Sequence, residues 1–208
     1  MPEFLGAKFP KSSESYVRNP RKWNPVDADE SIHVDTVSDY LDAFHRLFVL
    51  EDQRAFDPNL RSSVRVGKSV KRHFVDPSLA VAALGATQDR LKGDLHTFGF
   101  LFEALCVRDL RIYSESFGAQ IFHYRDDSGR EIDAVVELPD GTWGAFEIKL
   151  GANQIDEAAR GLLSIRDLMK ADPTAKPPEL LCVICGLGNA AYVREDGVRV
   201  VPLSALRP

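Results

Sequence analysis

At 208 residues the chain can hold one full domain and a smaller appendage. Apolar residues make up 44% and charged residues 27% of an ordinary globular balance, and the net charge of −5 excludes a surface coated for non-specific nucleic-acid binding. No apolar run approaches a membrane span, no signal peptide opens the chain, and the odd count of 3 cysteines fits a reducing, cytoplasmic setting.

Residues 1–30 carry Pro2, Pro10, Pro20 and Pro25 among mixed charges without an apolar period. This predicts an extended or disordered arm. From Ser31 to Glu51, the residues Val34, Val37, Leu41, Phe44 and Phe48 recur at spacings of three and four, which predicts a helix to about Arg46. Asp35 is its candidate N-cap, and Leu47 to Leu50 reads as extended. Such a helix serves burial or contacts DNA.

Arg54 to His73 is the strongly basic stretch of an acidic protein: Arg54, Arg61, Arg65, Lys68, Lys71 and Arg72 face one acid, Asp57. Phosphate contact, an acidic protein partner and a solvated loop face all fit it. Gly67-Lys68-Ser69 ends like a phosphate-binding loop, but Ser62 stands where the first glycine belongs, so no ATP site is expected. His73 to Asp76 reads as a short strand, and Pro77 opens a helix that Gly85 closes. A longer helix follows from Leu95 to Ile112, with Phe98, Leu101, Phe102, Leu105 and Ile112 facing a core. Glu103 sits among them, either on the flank or turned toward a partner that a buried carboxylate needs.

Gln120 to Arg125 is a strand, turned by Asp127-Ser128-Gly129 into a hairpin from Gly129 to Leu150. Pro139-Asp140-Gly141 forms a three-residue loop, so Leu138 pairs with Thr142 and Asp133 falls opposite Glu147. Alternation places Ile132, Ala134, Val136, Leu138, Phe146, Ile148 and Leu150 on one apolar face. The other face gathers Glu131, Asp133, Glu147 and Lys149. Facing carboxylates on a sheet repel, which a divalent cation between them would relieve. A solvated outer face is the plainer alternative. Beyond the hairpin, Asn153 is a candidate N-cap for a helix from Gln154 to about Lys170, burying Ile155, Ala159, Leu162 and Leu163. Leu180 to Leu187 is a nearly unbroken apolar run, a strand buried on both faces. Cys182 and Cys185 point to opposite faces of it and cannot share an ion. Ala191 to Val201 predicts an edge hairpin around Gly197, and Pro202 starts a last helical turn.

Asp133 followed by Glu147-Ile148-Lys149 resembles the PD-(D/E)XK nuclease motif, in the matching setting of helix, three strands, helix, strand. More widely, YLDAFHRLFVLED, GKSVKRHFVDPSLAVAALG, GFLFEALCVRDL and GREIDAVVE with AFEIKLG resemble an uncharacterised domain found at the C-terminus of many prokaryotic AAA-type ATPases. The resemblance implies an α/β, restriction-endonuclease-like core over 76–208 and a partial winged-helix module over 31–75. It further implies Mg²⁺- or Mn²⁺-dependent cleavage of DNA. Asp133 and Glu147 would bind the metal, Glu103 would assist, and Lys149 would act at the attacking water or the phosphate. Arg61, Arg65, Lys68, Lys71 and Arg72 are weaker DNA-contact candidates. The alternative is a non-catalytic accessory module that binds DNA or a protein, such as an ATPase supplied by another chain. The ATPase of such relatives does not fit in this length, so a short independent version or a remnant is expected.

Overall fold

The computed structural model describes residues 34–58 and 69–207. The expected N-terminal arm and Arg61, Arg65 and Lys68 of the basic stretch lie outside them. The chain divides into two compact units, residues 1–50 and 51–208.

In the first unit, α1 (Val34–Arg46) carries its apolar residues at the spacing read from the sequence, but none of its residues is buried. Asp35 lies in its first turn rather than at a cap, where it complements the helix dipole. The expected extension over 47–50 is corrected in part. Phe48 takes a left-handed φ of 54°, and the amides of Phe48 and Val49 donate back to the carbonyls of His45 and Phe44. This is a Schellman closure, which satisfies carbonyls that the helix end leaves free. Extension begins only with β1 (Leu50–Gln53).

In the second unit, β2 (Lys71–Phe74) pairs with β1 in a two-stranded sheet. Asp76 caps α2 (Pro77–Ala83), and Gly85 leaves it at φ 55°. A short helix that the sequence reading missed, α3 (Gln88–Gly93), is capped by Thr87. α4 (Leu95–Glu115) follows, capped by Asp94. Next come β3 (Gln120–Arg125), β4 (Glu131–Glu137), β5 (Trp143–Lys149), α5 (Ile155–Ala171), β6 (Leu180–Cys185), β7 (Tyr192–Val193) and β8 (Arg199–Pro202). The fold is α/β, with a mixed six-stranded sheet in the order β3-β4-β5-β6-β8-β7. β3, β4 and β5 run as an antiparallel meander, and β6 lies parallel to both β5 and β8. The run read as an interior strand is β6, with buried residues from Leu181 to Cys185.

The helices cover opposite faces of this sheet. Under α4, Phe102, Cys106, Val107 and Leu110 meet Ala134, Val136, Phe146, Ile148 and Ile184. Under α5, Ile155, Ala159, Leu162 and Ile165 meet Val135, Trp143, Ala145, Leu181 and Val183. Cys182 and Cys185 fall in opposite clusters, as their spacing requires. Two expectations are corrected here. The second face of the hairpin is not generally polar, because α5 buries Val135, Ala145 and Trp143 on it. On α4 the buried stripe runs through Phe102, Cys106 and Leu110, and Ile112 is exposed. The helix runs past Ile112 to Glu115, and Ile112 faces away from the sheet that selects the stripe.

Candidate functional site

The hairpin register follows from its loop. The Leu138 amide donates to Thr142 O over 2.8 Å, Gly141 closes the turn at φ 76°, and Ala134 pairs with Phe146. One residue further along the same register, Asp133 falls opposite Glu147, as the loop predicts. What the loop does not dictate is the irregularity on the other side of β4. Phe122 pairs with Val135 but Tyr124 pairs with Ile132, so Asp133 and Ala134 together oppose His123 alone. This is a β-bulge on β4, the kind of insertion that re-aims a side chain. It also breaks the predicted alternation: Ile132 packs in the cluster under α5 and Ala134 in the one under α4.

The bulge is held from outside the sheet. Gln53 of β1, fully buried, donates through Nε2 to Phe122 O over 2.8 Å and to Asp133 O over 3.1 Å. Its Oε1 lies 2.9 Å from His73 Nε2 on β2. His123 itself pairs through its backbone with Arg54 and Phe56, and its Nε2 lies 3.1 Å from Ser69 O. Burial, then the Lys71 charge, lower the His73 pKa to about 3, so its ring is neutral.

Asp133 Oδ2 accepts the Ile148 amide at 2.9 Å and lies 3.5 Å from Lys149 Nζ. Lys149 Nζ is also 2.7 Å from Glu147 Oε2. On the other side, Lys71 Nζ lies 3.5 Å from Asp133 Oδ1 and 2.5 Å from Glu103 Oε1. The result is a chain of alternating acids and lysines: Glu103, Lys71, Asp133, Lys149, Glu147. Asp133 and Glu147 are 8% and 9% exposed, which rules out a solvated outer face. Asp133, Glu147, Lys149 and Glu103 are thus gathered as the sequence suggested. Lys71, expected at a DNA-contact surface, turns into the cluster instead, while Arg72 lies 3.4 Å from Asp52. Glu131, grouped with the acids by alternation, pairs with Arg125 at 2.7 Å. Gln154 bonds the Gly151 amide and serves only the helix start. Asn153 is not the cap expected of it: a 3₁₀ turn over Ala152–Gln154 precedes α5.

The electrostatics follow from burial and neighbours. Burial, then the Asp133 charge, push the Glu147 carboxyl up to about 8. Asp133 goes the other way: burial opposes its ionisation, but Lys71 and Lys149 outweigh it and hold the pKa below the ordinary range. Burial would lower the Lys71 pKa, yet Glu103 and Asp133 raise it, so the ammonium stays charged. The adjacent carboxyls are coupled: the charge held on Asp133 opposes ionisation of Glu147.

Among the described residues no three His, Cys, Asp or Glu side chains form a ready-made metal cage. Mg²⁺ needs less, since one or two carboxylates and several waters suffice. Asp133 beside Glu147 is such a pair, both buried, and a cation between them would relieve the repulsion of two adjacent carboxyls. The donor set therefore fits Mg²⁺ or Mn²⁺ through these two carboxylates.

The site and sheet define an α/β domain with a buried carboxylate–lysine cluster at a bulged hairpin. A family model described as a domain of unknown function (DUF4143) matches residues 98–206, just over half of the chain, and the chain belongs to that family. This domain is often found at the C-terminus of AAA-type ATPases. A second model, a domain of unknown function (DUF8612), matches residues 11–90. No curated protein and no solved structure matches the chain. Glu103, Asp133, Glu147 and Lys149 fall within the first match, and Gln53, Lys71 and His73 within the second. Among the described residues no helix is long and apolar enough to cross a membrane.

Proposed function

We propose that this chain carries a PD-(D/E)XK-type site and hydrolyses phosphodiester bonds in DNA with Mg²⁺ or Mn²⁺. The observation that carries the proposal is the meeting of Asp133, Glu147 and Lys149 within 3.5 Å contacts at the bulge. The element order supports a restriction-endonuclease-like core: α4, then the β3-β4-β5 meander, then α5, then β6 parallel to β5. A partial winged-helix module is proposed for 31–75, on the strength of α1 and β1 alone. Asp133 and Glu147 would hold the ion, which when bound would acidify a water and neutralise phosphate charge. Asp133 is oriented for this by the Ile148 amide. Lys149 remains charged at neutral pH and would donate to a phosphate oxygen or to the attacking water. Glu103 lies on α4 at the same cluster and would assist through its pairing with Lys71. No ATP site is proposed; an ATPase partner is, because of the company this domain often keeps. The proposed compartment is the cytoplasm.

The test is cleavage of plasmid and linear DNA by purified protein with Mg²⁺ or Mn²⁺. Lys149→Ala should lower the rate about 10²-fold or more while far-ultraviolet circular dichroism stays unchanged. Equal rates in both proteins would end the assignment of Lys149. A second reading is favoured by the pairing of all three carboxylates with lysines and by the burial of Asp133 and Glu147. It is a non-catalytic module that binds DNA or a protein partner. DNA binding without cleavage under any divalent ion would select it.

A further inference from the structure

Lys71 enters the PD-(D/E)XK reading only as a weak DNA-contact candidate and as the partner of Glu103, and has no role there toward the metal. It arrives on β2, a four-residue strand outside the stretch that defines the family. Successive strand residues face opposite ways. Lys71 and His73 therefore share one face of β2, where Lys71 meets Glu103 and Asp133 and His73 meets Gln53; Arg72 points to Asp52. The ammonium is 2.5 Å from Glu103, at one end of the cluster, and 3.5 Å from Asp133, at its centre. Its side chain keeps 21% exposure, and its stem is flexible enough to swing out without moving the strand.

We propose that Lys71 is a tethered cation occupying the carboxylate cluster, and that a divalent ion must displace its ammonium from Asp133 to bind. The proposal rests on the metal site assigned above. The reasoning is charge and space. With both lysines in place, three carboxylates face two ammoniums, and a divalent ion on Asp133 would sit beside an existing cation only a few ångströms away. Like charges at that distance in a poorly solvated site repel strongly. With the lysine withdrawn, the cluster has one more uncompensated negative charge and a free oxygen on Asp133. The segment carrying Lys71 thereby sets the metal affinity of a site built by the rest of the domain.

The experiment is calorimetric titration of Mn²⁺ into wild type, Lys71→Met, Lys71→Arg and their Asp133→Asn counterparts. Lys71→Met should bind at least tenfold more tightly than wild type, Lys71→Arg should stay within a few-fold of wild type, and Asp133→Asn should abolish binding in each. Equal or weaker binding by Lys71→Met, with wild-type binding still dependent on Asp133, would overturn the tethered-cation proposal and leave the metal site standing. Binding that ignores Asp133 in every protein would remove the metal site and the proposal with it. A second measurement needs no variant. The Lys71 ammonium signal in a nitrogen-resolved spectrum of wild type with Mg²⁺ should be sharp without the ion and exchange-broadened at saturation. A signal unchanged at saturation overturns the proposal.

Discussion

Replacing Gln53 tests how the bulge is held. Its side chain is fully buried, and its amide serves Phe122 O at 2.8 Å, Asp133 O at 3.1 Å and His73 Nε2 at 2.9 Å. Gln53→Leu keeps roughly the volume and removes all three bonds. Each group left without a partner costs about 1–3 kcal/mol when buried. The Asp133 carbonyl sits at the bulge, where the ladder is interrupted. His73 is only partly buried and regains water, so its share is small. The expected loss is on the order of 3–4 kcal/mol. Urea unfolding of the metal-free protein should show it as a lower midpoint with unchanged slope. A loss under about 1 kcal/mol would mean that the bulge stands without Gln53 and would refute its role as the tie between β1 and the site.

Other consequences follow from burial and proton binding. In the metal-free protein the Glu147 pKa is raised from 4.5 to about 8, so its contribution to stability is fully present below 4.5 and is lost as pH rises through about 8. The melting temperature should fall between those limits, and Glu147→Gln should flatten that fall; a wild-type profile no steeper than the variant's contradicts the raised pKa. Leu162 is 1% exposed beneath the sheet, so Leu162→Ala should cost about 2–5 kcal/mol by urea unfolding. At Gly186 a Cβ would stand 2.9 Å from Leu150 Cδ1 and 3.2 Å from Leu150 O, so Gly186→Ala should cost about 1–3 kcal/mol in the same assay.

The hairpin was legible because its loop chemistry counts residues. Pro139-Asp140-Gly141 sets the loop length, the loop sets the register, and the register brings Asp133 toward Glu147 and Lys149. β6 was legible because burial on both faces leaves an unbroken apolar run. The bulge was not, since an extra residue opposite His123 changes no residue type in β4; only the pairing with β3 reveals it. Lys71 was misplaced for a related reason. Among basic neighbours it reads as part of a phosphate-contacting surface, and its true partners lie 32 and 62 residues further on, at Glu103 and Asp133. Thr87, followed by Gln88-Asp89-Arg90, carried a capping signal for α3 that the sequence reading passed over. The end of α1 misled in the opposite direction. Leu47 to Val49 are apolar and β-prone, yet a helix terminus needs its carbonyls satisfied, and Phe48 takes a left-handed conformation to do it.

The central claim is that Asp133 and Glu147 form a divalent-metal site. The most direct measurement is the melting temperature of wild type, Asp133→Asn and Glu147→Gln across a Mg²⁺ titration at constant ionic strength. An ion bound by the native state alone stabilises it by mass action, about 2.7 kcal/mol at a hundredfold excess over the dissociation constant. The account predicts a saturating rise in wild type and the loss of most of that rise in both variants. The same rise in all three proteins would contradict it.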